Sequence, residues 1–272
     1  MIPRPSPLPR RYSLFSNVVQ APLFALATIG FGSLSIASSF LDRDGRFQHK
    51  IARIWARTTI RLSLSPVTVI GEENLRRAPV AVYACNHTSY MDTPVLFSAL
   101  PFQFRILAKQ QLWKMPFIGW HLDRSGQIPV DTTTQRSSIA SLSAGVRALK
   151  GGMPLVVFPE GGRTMTGHPQ TFLSGAAYLA LRAQVPLVPM ALIDVYGLLP
   201  IHARQFHPRP LKLVIGEPIP TEGYTTRQID VLNERLRQDV CRLYYEHGGM
   251  AAYPTAPAIA VATEPTPLEH SR

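Results

Sequence analysis

His87 and Asp92 stand five residues apart in the run Asn86-His-Thr-Ser-Tyr-Met-Asp92. A carboxylate bonded to one imidazole nitrogen fixes the tautomer and raises the basicity of the ring, leaving the other nitrogen to take a proton from a substrate. The apolar run Val80 to Cys85 reads as a strand buried on both faces, which places His87 at its C-terminal end. Thr88 or Ser89 is then the expected cap of a following helix, with Asp92 about one turn further on. On these two residues alone, a structural histidine beside a capping aspartate explains the pattern as well as a catalytic pair does. Cys85 shares a strand face with His87 and offers a thiol nucleophile as a rival mechanism, although a buried free cysteine is usually a small apolar residue.

A second group is Phe158-Pro-Glu-Gly-Gly-Arg-Thr164, directly after another apolar run. Glycines such as Gly161 let the backbone approach a ligand closely, and Arg163 offers a planar fork suited to phosphate. Glu160 can orient that arginine or hold a substrate hydroxyl. A turn carrying a surface ion pair is the plainer reading of this segment alone. It lacks the Gly-Lys-Ser/Thr ending of a P-loop, so nucleotide hydrolysis is not supported.

The elements that would position these residues alternate between strand and helix patterns. Strands are expected at 67–70, 80–85, 104–108, 128–130, 154–158, 187–193 and 212–215, and helices at 136–150, 171–183 and 226–247. That alternation argues an α/β domain with its sites where strands end and loops begin. Upstream, no charged residue occurs between Arg11 and Asp42. At about 1.5 Å per residue this run covers the roughly 30 Å hydrocarbon core of a bilayer as a helix, and Pro22 makes a bend or a pair of short helices an alternative. A cleaved signal peptide and an ordinary buried core helix are the competing readings.

Arg4, Arg10 and Arg11 precede the apolar run, and Arg43, Arg46, Lys50, Arg53, Arg57 and Arg61 follow it. The denser cluster on the C-terminal side places the main domain on the cytoplasmic face. Within 47–64, Ile51, Ile54, Trp55 and Thr58 recur at helical spacing between arginines, a pattern suited to anionic headgroups. The 272 residues suffice for one sizeable α/β domain, and 28 Lys and Arg against 17 Asp and Glu leave a net charge of +11. Such a surface attracts anionic lipid or nucleic acid without choosing between them. The two cysteines, Cys85 and Cys241, form neither a metal-ligand spacing nor a disulfide framework.

Taken together, these segments resemble the 1-acylglycerol-3-phosphate acyltransferase family, within the wider glycerolipid acyltransferase group. The family's Asn-His-x4-Asp block is met by Asn86, His87 and Asp92, and its Phe-Pro-Glu-Gly-x-Arg block by Phe158 to Gly161 and Arg163. Val185-Pro-Leu-Val-Pro-Met190 matches the fourth block, and Ala108 to Trp120 the Lys-containing stretch between the first and third. One departure is Thr132 after Ile128-Pro-Val-Asp131, where the family commonly has arginine; Arg124 or Arg136 are the candidates to replace it.

The resemblance implies an α/β acyltransferase domain with a central sheet flanked by helices at 65–248. The charge-free run marks a hydrophobic membrane-associating helical segment at 1–64 before it, and the Ala, Pro and Thr content beyond Gly249 a disordered tail at 249–272. The resemblance also implies acyl transfer from acyl-CoA or acyl carrier protein to the hydroxyl of lysophosphatidic acid or another lysolipid. His87 would be the base and Asp92 its orienting carboxylate. Glu160, Gly161 and Arg163 would hold the acceptor, with Lys109 as helper. No metal or organic prosthetic group is required. The partners are then a lysophospholipid acceptor, an acyl thioester donor and an anionic membrane surface, with no nucleic acid. A hydrolase is the nearest rival; a metal-dependent one is poorly served by a single histidine. A non-catalytic lipid- or nucleic-acid-binding protein explains the charge but not four ordered blocks.

Overall fold

In the computed structural model the charge-free run folds as α1 (Arg10–Phe15), a π-helical turn (Ser16–Gln20) and α2 (Ala21–Ser38), continuous from Arg10 to Ser38. The structure describes residues 9–42, 44–115, 117–131, 133–201, 203 and 205–249. The expected tail therefore lies, from residue 250 on, outside the described residues. The π turn sits just before Pro22, which has no N–H and crowds the carbonyl four residues back; one extra residue in the turn lets the helix continue. The helix is long and apolar enough to cross a membrane, and almost none of its most apolar window is buried. That overturns the buried-core reading: Leu14, Val18, Leu26, Ile29 and Leu34 lie open.

α3 (Arg46–Leu62) packs between α2 and the main domain. The expected stripe is not its buried face. Ala52, Ala56, Thr59 and Ile60 face the core, Ile51 and Trp55 face a cavity beside α2, and Ile54 is exposed. Two apolar faces are needed because α3 has two neighbours. The Trp55 indole donates to Thr28 Oγ1 at 3.2 Å, and Gln20 Nε2 donates to the Leu62 carbonyl at 2.7 Å.

The main domain follows in chain order: β1 (Val67–Ile70), α4 (Glu73–Arg77), β2 (Val82–Cys85), α5 (Asp92–Ala99), β3 (Arg105–Lys109), α6 (Ile118–Arg124) and β4 (Ile128–Val130). Then come α7 (Gln135–Lys150), β5 (Leu155–Val157), α8 (Gly175–Ala183), β6 (Leu187–Ile193), α9 (Val195–Leu198), β7 (Leu211–Ile215) and α10 (Ile229–Glu246). The strands form one sheet in the order β1-β7-β6-β2-β5-β3-β4, parallel throughout except for β6 against β7. Alternate residues serve opposite faces. Tyr83 and Cys85 pack with α3 and α5, while Val82 and Ala84 pack with α7, α8 and α10. Both faces are covered, which is why β2 reads as an unbroken apolar run.

α8 begins at Gly175 rather than at Thr171 as its composition suggested. The Leu173 amide donates to the Pro159 carbonyl at 2.8 Å, and this holds the preceding residues on the loop after β5 instead of in a helix.

Candidate active site

β2, β5 and β3 are parallel neighbours, so their C-terminal ends bring three loops together. The loop after β2 is anchored by Asn86, whose buried amide does the work of a peptide group against β6. Its Nδ2 donates to the Leu192 carbonyl at 3.0 Å, and the Leu192 N–H donates to its Oδ1 at 2.7 Å.

His87 comes next, with Nδ1 2.7 Å from Asp92 Oδ2. The same oxygen accepts the Thr88 and Ser89 amides at 2.6 and 2.9 Å. This reverses the expected capping: no Thr88 or Ser89 side chain caps α5, and the carboxylate of its first residue gathers the preceding amides. Asp92 is fully buried, and those N–H groups replace its lost water. A carboxylate only accepts, so Nδ1 carries the hydrogen, and in the neutral ring Nε2 is then the nitrogen with the lone pair. Nε2 has no hydrogen-bond partner among the described residues.

The loop after β5 locks the histidine from the other side. Glu160 Oε1 accepts the His87 amide at 2.9 Å, the Thr164 amide donates to the His87 carbonyl at 2.9 Å, and the Phe158 ring stacks on the imidazole at 3.9 Å and 19°. Burial pushes the Glu160 carboxyl up to about 8; the His87 and Gln170 amides offset this in part, and the Asp92 charge adds to it. Glu160 Oε2 is buried without a hydrogen-bond partner among the described residues.

Arg163 Nε donates to the Ser89 carbonyl at 3.3 Å, and its guanidinium lies 4.1 Å over the Tyr90 ring. Lys109 ends β3 close to the same loop: a methyl group on Gly162 would lie 3.9 Å from its Nζ. Neither cation has an ion-pair partner among the described residues. Gly161 serves conformation, with φ +69° and Leu173 filling the place of a side chain, so Gly162 is the glycine that leaves open space.

The structure therefore brings His87, Asp92, Glu160, Gly161, Arg163 and Lys109 to one end of the sheet. Cys85 does not join them. It is fully buried, and burial, with help from Asp92 and Glu160, pushes its thiol far above the ordinary range, which removes it as a nucleophile. Arg124 does not replace the absent arginine: it donates to Ser39 Oγ at 3.2 Å and stacks on Phe40. Arg136 is exposed in the first turn of α7. Asp131 accepts from the Thr133 amide at 2.9 Å and its hydroxyl at 2.7 Å, shaping the turn into that helix.

Beside these loops lies a cavity of about 280 Å³, walled by Trp55, Phe97, Ile106, Leu112, Ile118 and Leu122. Thr93, next to Asp92, and Ala108, next to Lys109, also border it. Among its polar groups, His121 Nδ1 lies 2.7 Å from Ser35 Oγ, and Gln127 accepts the Ile106 amide at 2.7 Å. Sequence reasoning missed this cavity, which draws on separate elements without shared periodicity. It also assigned no role to Tyr90 or to Phe158, although an aromatic directly after a strand in the quoted block was a usable signal.

The architecture is that of a lipid acyltransferase domain. The crystal structure of the 1-acyl-sn-glycerophosphate acyltransferase PlsC from Thermotoga maritima matches it with a TM-score of 0.67 at 23% identity, over 88% of this chain and all of that one. The family profile described as Acyltransferase matches residues 66–193. A 1-acyl-sn-glycerol-3-phosphate acyltransferase from Bacillus subtilis is 30% identical over 182 residues, 63% of this chain and 87% of the relative. One from Saccharomyces cerevisiae is 29% identical over 265 residues, 95% of this chain and 87% of the relative. The chain belongs to this acyltransferase family and is an enzyme.

Proposed function

We propose that the enzyme transfers a fatty acyl group from acyl-CoA or acyl carrier protein to the free hydroxyl of lysophosphatidic acid, giving phosphatidic acid. His87 Nε2 takes the hydroxyl proton as the oxygen attacks the thioester carbonyl carbon, forming the C–O bond. Asp92 holds the ring and stabilises the imidazolium. The tetrahedral adduct then collapses, the C–S bond breaks, and the imidazolium returns its proton to the leaving thiolate. Arg163 and Lys109 hold the acceptor's phosphate, and protonated Glu160 donates from Oε2 without adding negative charge beside that phosphate. The apolar cavity takes an acyl chain.

The observation that carries this reading is a carboxylate-held imidazole beside two cations without ion-pair partners. A base with that company suits an acceptor that is both nucleophile and anion. The relatives' names support the same substrate class.

The apolar helix α2 and the basic face of α3 would keep the site at the membrane surface. The division at residues 64 and 248, and the cytoplasmic face, belong to the same proposal. The test is product analysis by mass spectrometry after offering the purified enzyme acyl-CoA with a panel of lysolipids. Phosphatidic acid is the expected main product. A different diacyl lipid would replace the acceptor, and free fatty acid alone would make the enzyme a hydrolase.

A further inference from the structure

Gln127 borders two cavities: the apolar one, and a second of about 490 Å³ bounded by Arg105, Gly126, Pro129, Arg147 and Met153 among others. Arg105 opens β3 and Lys109 ends it, so this second cavity lies about 13 Å from the reaction end at roughly 3.3 Å per residue. It is a separate place.

Of its two arginines, Arg105 is half-buried and Arg147 is exposed. Neither is in an ion pair, and neither guanidinium donates a hydrogen bond to another described residue. No carboxylate lines the cavity among the described residues. Arg105 Nε is buried with no hydrogen-bond partner among the described residues, a costly state for a charged donor unless an acceptor arrives. Its guanidinium lies on the bare backbone of Gly126, at φ +70°; a methyl group there would come within 3.0 Å of it. The glycine thus leaves room for the guanidinium, with no acidic partner beside it among the described residues.

The ordinary explanation for Arg147 is the C-terminal dipole of α7. It does not cover the case. The carbonyls of Arg147, Ala148 and Leu149 already accept the amides of Gly151, Met153 and Gly152, and Arg105 is not on a helix.

The location narrows the ligand. A methyl group on Gly45 would lie 3.0 Å from the Ser125 carbonyl, and Arg124 is tied to Ser39 and Phe40 at the end of α2. These contacts tie the end of the apolar helix to Arg124 and Ser125, and the next residue along, Gly126, is part of the cavity's wall. Phe40 and Leu41 are 75% and 82% exposed there, as residues entering the interface of a bilayer would be. Two free guanidinium forks at that level match a phosphate better than a point-like anion.

We propose that Arg105 and Arg147 form a second anion site, which takes a phosphate group separately from the acceptor phosphate at Arg163. The phosphate reaches it on a lipid headgroup at the membrane surface or on a soluble phosphate ester.

The test uses the full chain carrying Arg163→Ala together with Lys109→Ala, so that both cations assigned to the acceptor phosphate at the reaction end are removed. Vesicles of phosphatidylcholine doped with phosphatidic acid or, at equal surface charge, phosphatidylserine are compared by cosedimentation. Inorganic phosphate and glycerol 3-phosphate are compared by thermal shift. Two further variants separate the site from general charge: R105K/R147K keeps the charges and loses the forks, and R227Q/R235Q removes two charges elsewhere.

A preference of about fivefold for phosphatidic acid, kept in R227Q/R235Q and lost in R105K/R147K, supports a lipid ligand. Phosphate-induced stabilisation lost in the same lysine variant, without a vesicle preference, supports a soluble one. Preference and stabilisation that are absent, or that are unchanged in a folded R105K/R147K protein, overturn the site.

Discussion

Glu160 is the residue whose chemistry departs furthest from its type. Its carboxyl sits between the His87 amide and the Asp92 charge, out of water, and is pushed up to about 8 from 4.5. Between those two values the unfolded chain ionises this group while the native fold keeps it protonated, so its contribution to stability falls as pH rises through that window. Glu160→Gln keeps an acceptor for the His87 amide and removes the ionisation. Thermal melts from pH 5 to 9 should show the variant gaining on the wild type as pH rises, and the wild-type loss of kcat/KM near pH 8 should disappear. Parallel pH profiles for the two proteins would contradict this. Arg163 is already held by Ser89 and Tyr90, with the rest of its fork left for an anion. Arg163→Ala should raise KM for a phosphate-bearing acceptor by about 10- to 100-fold, the loss of one charge-assisted contact. An unchanged KM would remove the phosphate role.

At the scale of elements, Gln127 is a partition between an apolar cavity and a basic one, pinned by the Ile106 amide and, through Nε2, by Ser125 Oγ at 3.3 Å. Gln127→Ala should lengthen the apolar cavity and shift preference toward longer acyl chains. Competition between donors of graded length, then between acceptors of graded length, tells which chain the cavity takes; unaltered preference in an active variant would exclude both. The seven strands and the main helices of the domain were legible because β2, β5 and β6 are covered on both faces and read as apolar runs. α3 was legible as a helix and misjudged in its facing, since a helix with two neighbours has two apolar stripes and periodicity reports their sum. α4 gave no pattern at all: it is five residues long and is held by the Asn74 amide on the Ile215 carbonyl, a contact between residues 141 apart.

The whole molecule places a charge-free helix, a basic helix and a reaction end in one fold, with a net charge of +11. Its motif residues, Lys109 apart, were recoverable from sequence because they sit at fixed offsets within two short blocks. Their mutual geometry was not, because the Glu160 bond to His87 and the Thr164 bond behind it join loops more than seventy residues apart. The proposed reaction depends on His87 as the base. The direct measurement is the rate of acyl transfer from acyl-CoA to lysophosphatidic acid by purified His87→Ala protein in vesicles, with circular dichroism and vesicle binding recorded alongside. The variant should fold and bind like the wild type and lose about 10²- to 10⁴-fold in kcat, the range for removal of a general base. Turnover close to the wild-type rate would show that another group takes the proton.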